Sequence, residues 1–167
     1  MTRALALAAY VATIVAANAM TDRFGLVPIG FGLMVTAGTF AAGFALIARD
    51  WVQVTSGRVV ALAAVAVGAV LSWWLSTPAL AVASGIAFAV SELVDFAVFT
   101  PLRERSLPTA VIVSSVVSAP VDTVLFLWIA GFPLTWQAVL GQFAVKTSLA
   151  LLVAAGITAR ERRVVTA

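Results

Sequence analysis

Residues 79–102 read ALAVASGIAFAVSELVDFAVFTPL, an apolar run in which the only ionisable side chains are Glu92 and Asp95. A helix needs about 20 mostly apolar residues to cross the hydrocarbon core of a bilayer, and this run supplies them. The whole chain is 63% hydrophobic and 10% charged, whereas a soluble domain is about a quarter charged. A soluble fold of 167 residues cannot bury so much apolar surface. The sequence therefore predicts an integral membrane protein.

Charged and turn-forming residues divide the chain into six such apolar runs. We predict six transmembrane helices, over about residues 4–20, 28–48, 59–75, 79–102, 108–129 and 136–159. Six spans of about 20 residues use roughly 120 positions, so the connections are short and no extramembrane domain fits. The predicted fold class is an all-α integral membrane protein with one domain over residues 1–167.

The arginines predict the orientation of these helices. Alternate connections place one arginine, Arg23, on the outer side. The cytoplasmic side then holds eight arginines: Arg3, Arg49, Arg58, Arg103, Arg105, Arg160, Arg162 and Arg163. This bias over short loops predicts that both termini are cytoplasmic and that the protein is multi-pass in the cell (inner or plasma) membrane.

The first apolar run has a second interpretation. Arg3, the run itself and Ala17-Asn18-Ala19 together resemble a signal peptide with its cleavage site. Its removal would leave five helices and would disrupt the charge pattern. We therefore favour a first transmembrane helix.

Several function classes are excluded by composition. The chain has no Cys and no His, which excludes disulfides, thiol nucleophiles and Cys/His zinc clusters. No Walker lysine follows a glycine cluster, so the chain is not itself an ATPase. The basic residues are too scattered for a nucleic-acid-binding face. With no paired nucleophile and base either, we expect no enzymatic activity, no cofactor and no metal.

Four ionisable residues lie well inside the predicted spans: Glu92, Asp95, Asp122 and Lys146. Such residues are costly in hydrocarbon and usually functional. At the helical rise of about 1.5 Å per residue, they lie roughly 9 to 24 Å from the outer ends of their helices, bracketing the midplane of a core about 30 Å thick.

The polar residues of the last three helices each fall on one helical face. On the fourth helix, Glu92 and Asp95 lie near Ser84, Phe88, Ser91 and Phe99. The fifth helix has Ser115, Ser118 and Asp122 on one stripe, and the sixth has Gln142 and Lys146 one turn apart. These stripes must turn inward, away from lipid.

The charges within this cluster do not balance. One base, Lys146, faces three acids, whereas a purely structural network would be expected to balance. The surplus indicates a protonated acid, a bound cation or a ligand that donates hydrogen bonds. Pro120 lies two residues before Asp122. It either opens a binding site in the helix or makes a harmless kink.

Two motifs carry a family resemblance. Residues 91–103, SELVDFAVFTPLR, and residues 122–126, DTVLF, resemble the vitamin-uptake-transporter-like family of queuosine-precursor transporters. Lys146 falls where the last helix of that family carries a lysine. Upstream, the resemblance extends to Asn18, Phe24-Gly25, Ala37-Gly38-Thr39-Phe40 and Arg49-Asp50. The chain departs from the family at Ala119-Pro120, where members often have Asn, and its loops are shorter.

The resemblance implies six helices in a fold similar to the substrate-binding subunits of energy-coupling-factor transporters. It also implies uptake of 7-deazaguanines that carry a 7-cyano or a 7-aminomethyl group. The expected partners are a small-molecule solute and the lipid bilayer, without nucleic acid.

The residue chemistry suits such a solute. A carboxylate can accept the ring N–H and the exocyclic amine together, a second acid can hold an ammonium, Lys146 or Gln142 can meet the carbonyl oxygen, and Phe rings can cover the base. Which residue makes which contact stays open. The candidate solute-binding residues are Glu92, Asp95, Asp122, Lys146, Gln142, Ser118, Phe88, Phe99 and Asn18.

A second function is compatible with the same sequence. Ala4, Ala8 and Ala12 place small residues at four-residue spacing on the first helix. That pattern suits a solute-binding subunit that docks onto an ATP-driven module, although it does not imply one. A structural membrane protein is disfavoured by the intramembrane acids. The driving force, the exact solute and the oligomeric state, a homo-oligomer included, are not determined by the sequence.

Overall fold

Six α-helices and one β-hairpin make up residues 3–165, which a computed structural model describes. The side chains of Leu46, Ile47, Asp50, Trp51, Gln53, Val54, Arg58 and Ile157, and those from Arg160 onward, lie outside this description. The elements are α1 (Arg3–Phe24), β1 (Leu26–Gly30), β2 (Leu33–Thr36), α2 (Thr39–Ser56), α3 (Arg58–Leu75), α4 (Pro78–Arg103), α5 (Leu107–Ile129) and α6 (Trp136–Val165).

Three of the helices begin and end within one residue of the predicted bounds, namely α3, α4 and α5. The first and last helices are longer than expected, since α1 continues to Phe24 and α6 to Val165. The predicted second helix over 28–48 was wrong at both ends. Its first part is the β-hairpin, and α2 continues past residue 48 to Ser56. The predicted helical class is confirmed, and this hairpin is the one departure from it among the described residues.

The hairpin forms because its sequence favours a turn over a helix. Proline at position 28 provides no backbone donor, and Gly30 pairs with Leu33 across a two-residue turn. Both turn residues, Phe31 (φ 53°) and Gly32 (φ 73°), have positive φ. This is the conformation of a type I′ turn, whose twist matches that of paired strands. The usual Asn-Gly signal is absent, because Phe31 occupies the first turn position.

Close contacts with two helices bury the inner strand of the hairpin. A side chain at Gly141 of α6 would overlap the backbone carbonyl of Met34 in β2. At Gly38, just before α2, a side chain would overlap the carbonyl of Ala17 in α1. Val35 and Thr36 are consequently buried. Non-helical backbone within a membrane protein is tolerated where protein covers it, and β2 meets that condition.

Packing contacts link the six helices into a ring, which further contacts of α2 with α3 and of α1 with α4 cross. Around it, α1 packs against α2, α2 against α6, α6 against α5, α5 against α4, α4 against α3, and α3 against α1. On the α1, α2 and α3 side, the core consists largely of small residues around one tyrosine: Ala6, Tyr10, Ala45, Val52, Ala61 and Ala64. Small residues let helix backbones approach closely, which is the usual basis of helix association in bilayers.

Within residues 3–165, four helices are long and apolar enough to cross a membrane: Arg3–Phe24, Pro78–Arg103, Leu107–Ile129 and Trp136–Gly156. Val59–Leu75 is a shorter apolar helix. The arginine pattern that predicts the orientation includes Arg58, Arg160, Arg162 and Arg163, whose side chains lie outside the described residues. By length and composition, four of the described helices can therefore cross a membrane. Helices α2 and α3, of 18 residues each, pack beside them.

Candidate solute-binding cavity

A cavity of about 140 Å³ lies among α1, α2, α4, α5 and α6. It borders the hairpin at Thr36, the last residue of β2. One enclosed water needs about 10–15 Å³ by the same kind of measure, so this space can hold a small organic molecule. Among the described residues, none of the lining residues comes from α3. The polar residues along the cavity are Asn18, Thr21, Thr36, Thr39, Arg49, Ser84, Ser91, Asp95, Ser115, Ser118, Asp122, Gln142 and Lys146.

Seven of the nine sequence-predicted site residues line this cavity: Asn18, Phe88, Asp95, Ser118, Asp122, Gln142 and Lys146. They come from four different helices, so the predicted inward turn of the polar stripes brings them together. Glu92 and Phe99 are not among the lining residues. Glu92 is buried next to the cavity and contacts a residue that lines it, as described below.

Lys146 and Asp122 form an ion pair between α6 and α5. The Lys146 Nζ donates to Asp122 Oδ2 at 2.5 Å and to Thr123 Oγ1 at 2.9 Å. The other Asp122 oxygen, Oδ1, lies 3.4 Å from the Ser91 hydroxyl, whose shorter hydrogen bond is to the Phe88 carbonyl at 3.0 Å. The lysine side chain is 8% exposed and that of the aspartate is 27% exposed. Asp122 thus keeps an open side toward the cavity, while Lys146 is enclosed by its partners.

A second ion pair joins α2 and α4. The Arg49 guanidinium donates to Glu92 Oε2. The sequence predicts that Arg49 marks the cytoplasmic end of the second helix. Instead α2 continues for about two more turns to Ser56, and Arg49 lines the cavity. Buried charges need such pairing, because removing either one from water is costly. The expected balance of three acids against one base becomes three acids against two bases.

Asp95 is the acid without a cation. Among the described residues its one hydrogen-bond partner is Ser118, whose hydroxyl donates to Oδ1 at 3.4 Å. That distance exceeds the range of about 2.5–3.0 Å that is usual for a hydroxyl donor, so the contact is weak. No ion pair involves Asp95 within the described part of the chain. Its half-buried carboxylate therefore faces the cavity with most of its acceptor capacity unused.

Gln142 has an unsatisfied amide. Its side chain is 1% exposed, lines the cavity, and finds no hydrogen-bond partner for Nε2 in the described structure. An unsatisfied buried donor costs about 1–3 kcal/mol. In native structures nearly all buried polar groups have a hydrogen-bond partner, which can be an ordered water or a ligand. Because Gln142 borders the cavity, this unsatisfied amide lies next to the space that a ligand or a water would occupy.

Aromatic side chains line the same space. Phe88 of α4 and Phe126 of α5 both border the cavity. Phe126 was not predicted, because its stripe on α5 was identified by polar residues alone. It packs against Phe132 with ring centroids 6.3 Å apart. Phe132 is held there by the end of α5, where its N–H donates to Leu127 and Gly131 (φ 75°) turns the chain.

The outer wall of the cavity comes from residues that the sequence did not single out. The Thr21 hydroxyl accepts from the Gly38 N–H at 3.1 Å, and the hydroxyls of Thr36 and Thr39 lie 2.9 Å apart. Asn18 was predicted, and its amide donates to Ser72 of α3 at 2.9 Å. Because hairpin and helix residues are adjacent only after folding, polar periodicity on one helix could not identify this wall.

Helix α5 is continuous through Pro120. The proline therefore does not break the helix, although Ser118, Ala119 and Asp122 around it all face the cavity. Among the described residues, no group of three or more acidic, His or Cys side chains is arranged to hold a metal ion. What the site offers is carboxylate acceptors, one free amide, several hydroxyls and two aromatic rings.

Comparison with protein families assigns the chain to a family of transporters. Residues 4–159 match the family described as "Putative vitamin uptake transporter". The chain belongs to this family. The match covers nearly the whole chain and confirms the resemblance seen in residues 91–103 and 122–126. Searches of curated proteins and of solved structures found no match. As a member of the vitamin uptake transporter family, the protein is a multi-pass membrane protein of a transporter family.

Proposed function

We propose that this protein takes up a small planar nitrogenous solute across the cell membrane, and that the solute is a 7-deazaguanine precursor of queuosine. All six helices span the membrane, with both termini in the cytoplasm. The solute occupies the cavity between α1, α2, α4, α5 and α6. The substituent at its position 7 is cyano or aminomethyl.

One observation carries this proposal. The cavity contains a buried Gln142 amide without a partner and an Asp95 carboxylate without a cation, within the described residues. Both groups are costly in a protein interior unless a ligand or water satisfies them. A transporter must supply such groups to a polar solute at membrane depth, where bulk water is absent.

The chemistry of a deazaguanine matches these groups. Its ring N–H and exocyclic amine are adjacent donors, which one carboxylate can accept together, and Asp95 and Asp122 are the two acids that line the cavity. Gln142 or Lys146 can donate to the ring carbonyl oxygen. Phe88 and Phe126 can cover the faces of the bicyclic ring.

Uptake into liposomes tests the proposal. We expect purified protein in liposomes that contain no ATPase to accumulate or equilibrate labelled 7-cyano- and 7-aminomethyl-7-deazaguanine faster than empty liposomes. Gln142→Leu should reduce the rate, whereas Asp22→Asn, at an exposed position at the outer end of α1, should not. No saturable uptake of either compound, together with no thermal stabilisation by either, would exclude these solutes.

A second function is favoured by one observation. Ala4, Ala8 and Ala12 are all exposed along the first turns of α1, where a small-residue surface could receive another membrane protein. In this alternative the chain binds the solute but depends on an ATP-driven module for transport. Binding without uptake in ATPase-free liposomes would support the alternative, and uptake there would exclude it.

The solute class can be checked without transport. We expect 7-deazaguanines to raise the unfolding temperature of the detergent-solubilised protein more than guanine, adenine, riboflavin or thiamine do. A ligand that binds only the folded protein stabilises it in proportion to its affinity and concentration. Stabilisation by one of the vitamins in place of the deazaguanines would redirect the proposal to that vitamin.

A further inference from the structure

The charge balance of the cavity indicates what kind of solute it accepts. Two cations, Arg49 and Lys146, and two acids, Asp95 and Asp122, line the cavity, and Glu92 joins them through Arg49. Among the described residues the site therefore carries one more negative than positive charge when all five side chains are ionised. A buried site with such a surplus favours a ligand that brings one positive charge.

Two of the three acids are already neutralised by the protein. Glu92 contacts Arg49, and Asp122 contacts Lys146 at 2.5 Å, with Thr123 as a second acceptor for the lysine. A cationic ligand would have to compete with these resident cations for either acid. Asp95 has no such competitor, since the Ser118 hydroxyl at 3.4 Å is its one described partner.

The Gln142 amide gives independent evidence that a ligand binds here. It lies on α6, two helices away from α4 around the ring, and yet it borders the same cavity as Asp95 with its Nε2 unsatisfied. Phe88 and Phe126 supply the apolar lining. A ligand that satisfies all of these groups combines an aromatic body, a hydrogen-bond acceptor and a positively charged group.

We infer that Asp95 is the binding position for a positively charged group of the solute, so that the cavity selects a monocation over a neutral molecule of the same shape. This inference rests on the proposed function, because it concerns the solute of the same cavity. For 7-deazaguanines it means that the aminomethyl compound, with its ammonium, binds more tightly than the cyano compound. A charge-assisted hydrogen bond in a partly buried site corresponds to about a 10- to 100-fold difference in affinity.

Calorimetric titration of the purified full-length protein with both compounds tests the inference. In the unaltered protein we expect the aminomethyl compound to bind about 10- to 100-fold more tightly. In Asp95→Asn, which keeps the shape and can still accept from Ser118, the ratio of affinities should fall close to one through loss of aminomethyl binding. Asp95→Glu should retain a preference for the cation. Asp22→Asn, which removes an exposed acid outside the cavity, should leave the ratio unchanged.

Equal affinities in the unaltered protein, or a ratio that Asp95→Asn does not change, would overturn the inference while leaving the proposed function intact.

An inorganic cation could supply the same positive charge. Both titrations are therefore repeated with sodium replaced by potassium. Binding of the cyano compound that requires sodium, and that Asp95→Asn makes sodium-independent, would assign Asp95 to a metal cation and would also overturn the inference.

A failure of the proposed function is distinguishable. If neither deazaguanine binds, benzylamine and benzonitrile serve as replacement probes. They carry the same charged aminomethyl and neutral cyano substituents on a smaller ring. Protection of the protein against thermal unfolding then reports on Asp95 directly. Stronger stabilisation by benzylamine that disappears in Asp95→Asn would support the inference without the deazaguanine proposal. Equal stabilisation by benzylamine and benzonitrile would reject the inference together with the deazaguanine proposal.

Discussion

Arg49 of α2 and Glu92 of α4 form an ion pair whose side chains are only 14% and 9% exposed. This pair explains why two charged residues are tolerated among otherwise apolar helices. It also removes Arg49 from the set of cytoplasmic arginines, so that the predicted bias becomes seven against one and still favours cytoplasmic termini. Because Glu92 is neutralised in this way, the surplus charge of the cavity falls on a different acid.

Loss of both partners of this pair should destabilise the protein less than the sum of the two single losses. We expect Glu92→Gln to lower the free energy of unfolding by about 2–3 kcal/mol, somewhat below the ~3–5 kcal/mol of a completely buried pair because both side chains retain some exposure. Arg49→Met combined with Glu92→Gln should cost less than the sum of the two single changes by about 1–3 kcal/mol. Unfolding in mixed micelles measures these values. Additive effects would show that the pair does not contribute as a unit.

The two members of the Lys146–Asp122 pair should respond unequally to substitution. Asp122→Asn leaves the Lys146 ammonium enclosed without a counter-charge, whereas Lys146→Met leaves Asp122 with an open side toward the cavity. We therefore expect Asp122→Asn to cost about 3 kcal/mol in unfolding free energy and Lys146→Met about 1–2 kcal/mol. Both variants are compared by thermal and denaturant unfolding. A larger loss for Lys146→Met would contradict the enclosure of the lysine.

Solute binding provides a second readout for Asp122. If its open side accepts donors from the solute, Asp122→Asn should weaken binding by at least about 1–3 kcal/mol, because the amide replaces part of an acceptor-only group with a donor. Calorimetric titration of the variant with the solute, at a temperature where the variant is folded, measures this loss of affinity. Unchanged binding and uptake would limit Asp122 to pairing with Lys146.

Two glycines of α6 offer a matched test of hairpin docking. Gly141→Ala would place a methyl group against the backbone carbonyl of Met34, which cannot move as a flexible side chain can. We expect a loss of about 1–3 kcal/mol in stability. Gly156→Ala, with no atom within 4 Å of the added carbon, should be neutral or stabilise by up to about 1 kcal/mol. Equal effects of both changes on the unfolding midpoint would argue against tight packing of β2 on α6.

Orientation can be measured directly because the natural chain has no cysteine. Phe31 at the hairpin tip is fully exposed, so Phe31→Cys should react with a membrane-impermeant maleimide on intact cells. A cysteine appended after Ala167 should react only after the cells are opened. Labelling of the appended cysteine on intact cells would place the C-terminus outside the cell and would contradict the predicted topology.

The part of this protein that its sequence predicts is the part that depends on local properties. Apolar length and charge punctuation identified α3, α4 and α5 nearly to the residue, because a helix in a bilayer satisfies its backbone internally and requires only about 20 apolar residues. Helical periodicity likewise brought Asp95, Asp122 and Lys146 to one inward region. The cost of burying charge leaves them few other positions.

Tertiary structure alone decided the rest. Arg49 followed by Asp50 has the composition of a helix end at the membrane surface, and only the placement of α2 against α4 pairs it with Glu92. Phe31-Gly32 is a weak turn signal, and β2 is stabilised by its packing on Gly141, which lies more than 100 positions away in the sequence. Pairing of distant charges and docking of a strand depend on the relative positions of whole helices. No local pattern encodes those positions. The sequence therefore indicated a charge surplus, and only the folded structure distinguishes the paired acids Glu92 and Asp122 from Asp95, which has no cation among the described residues.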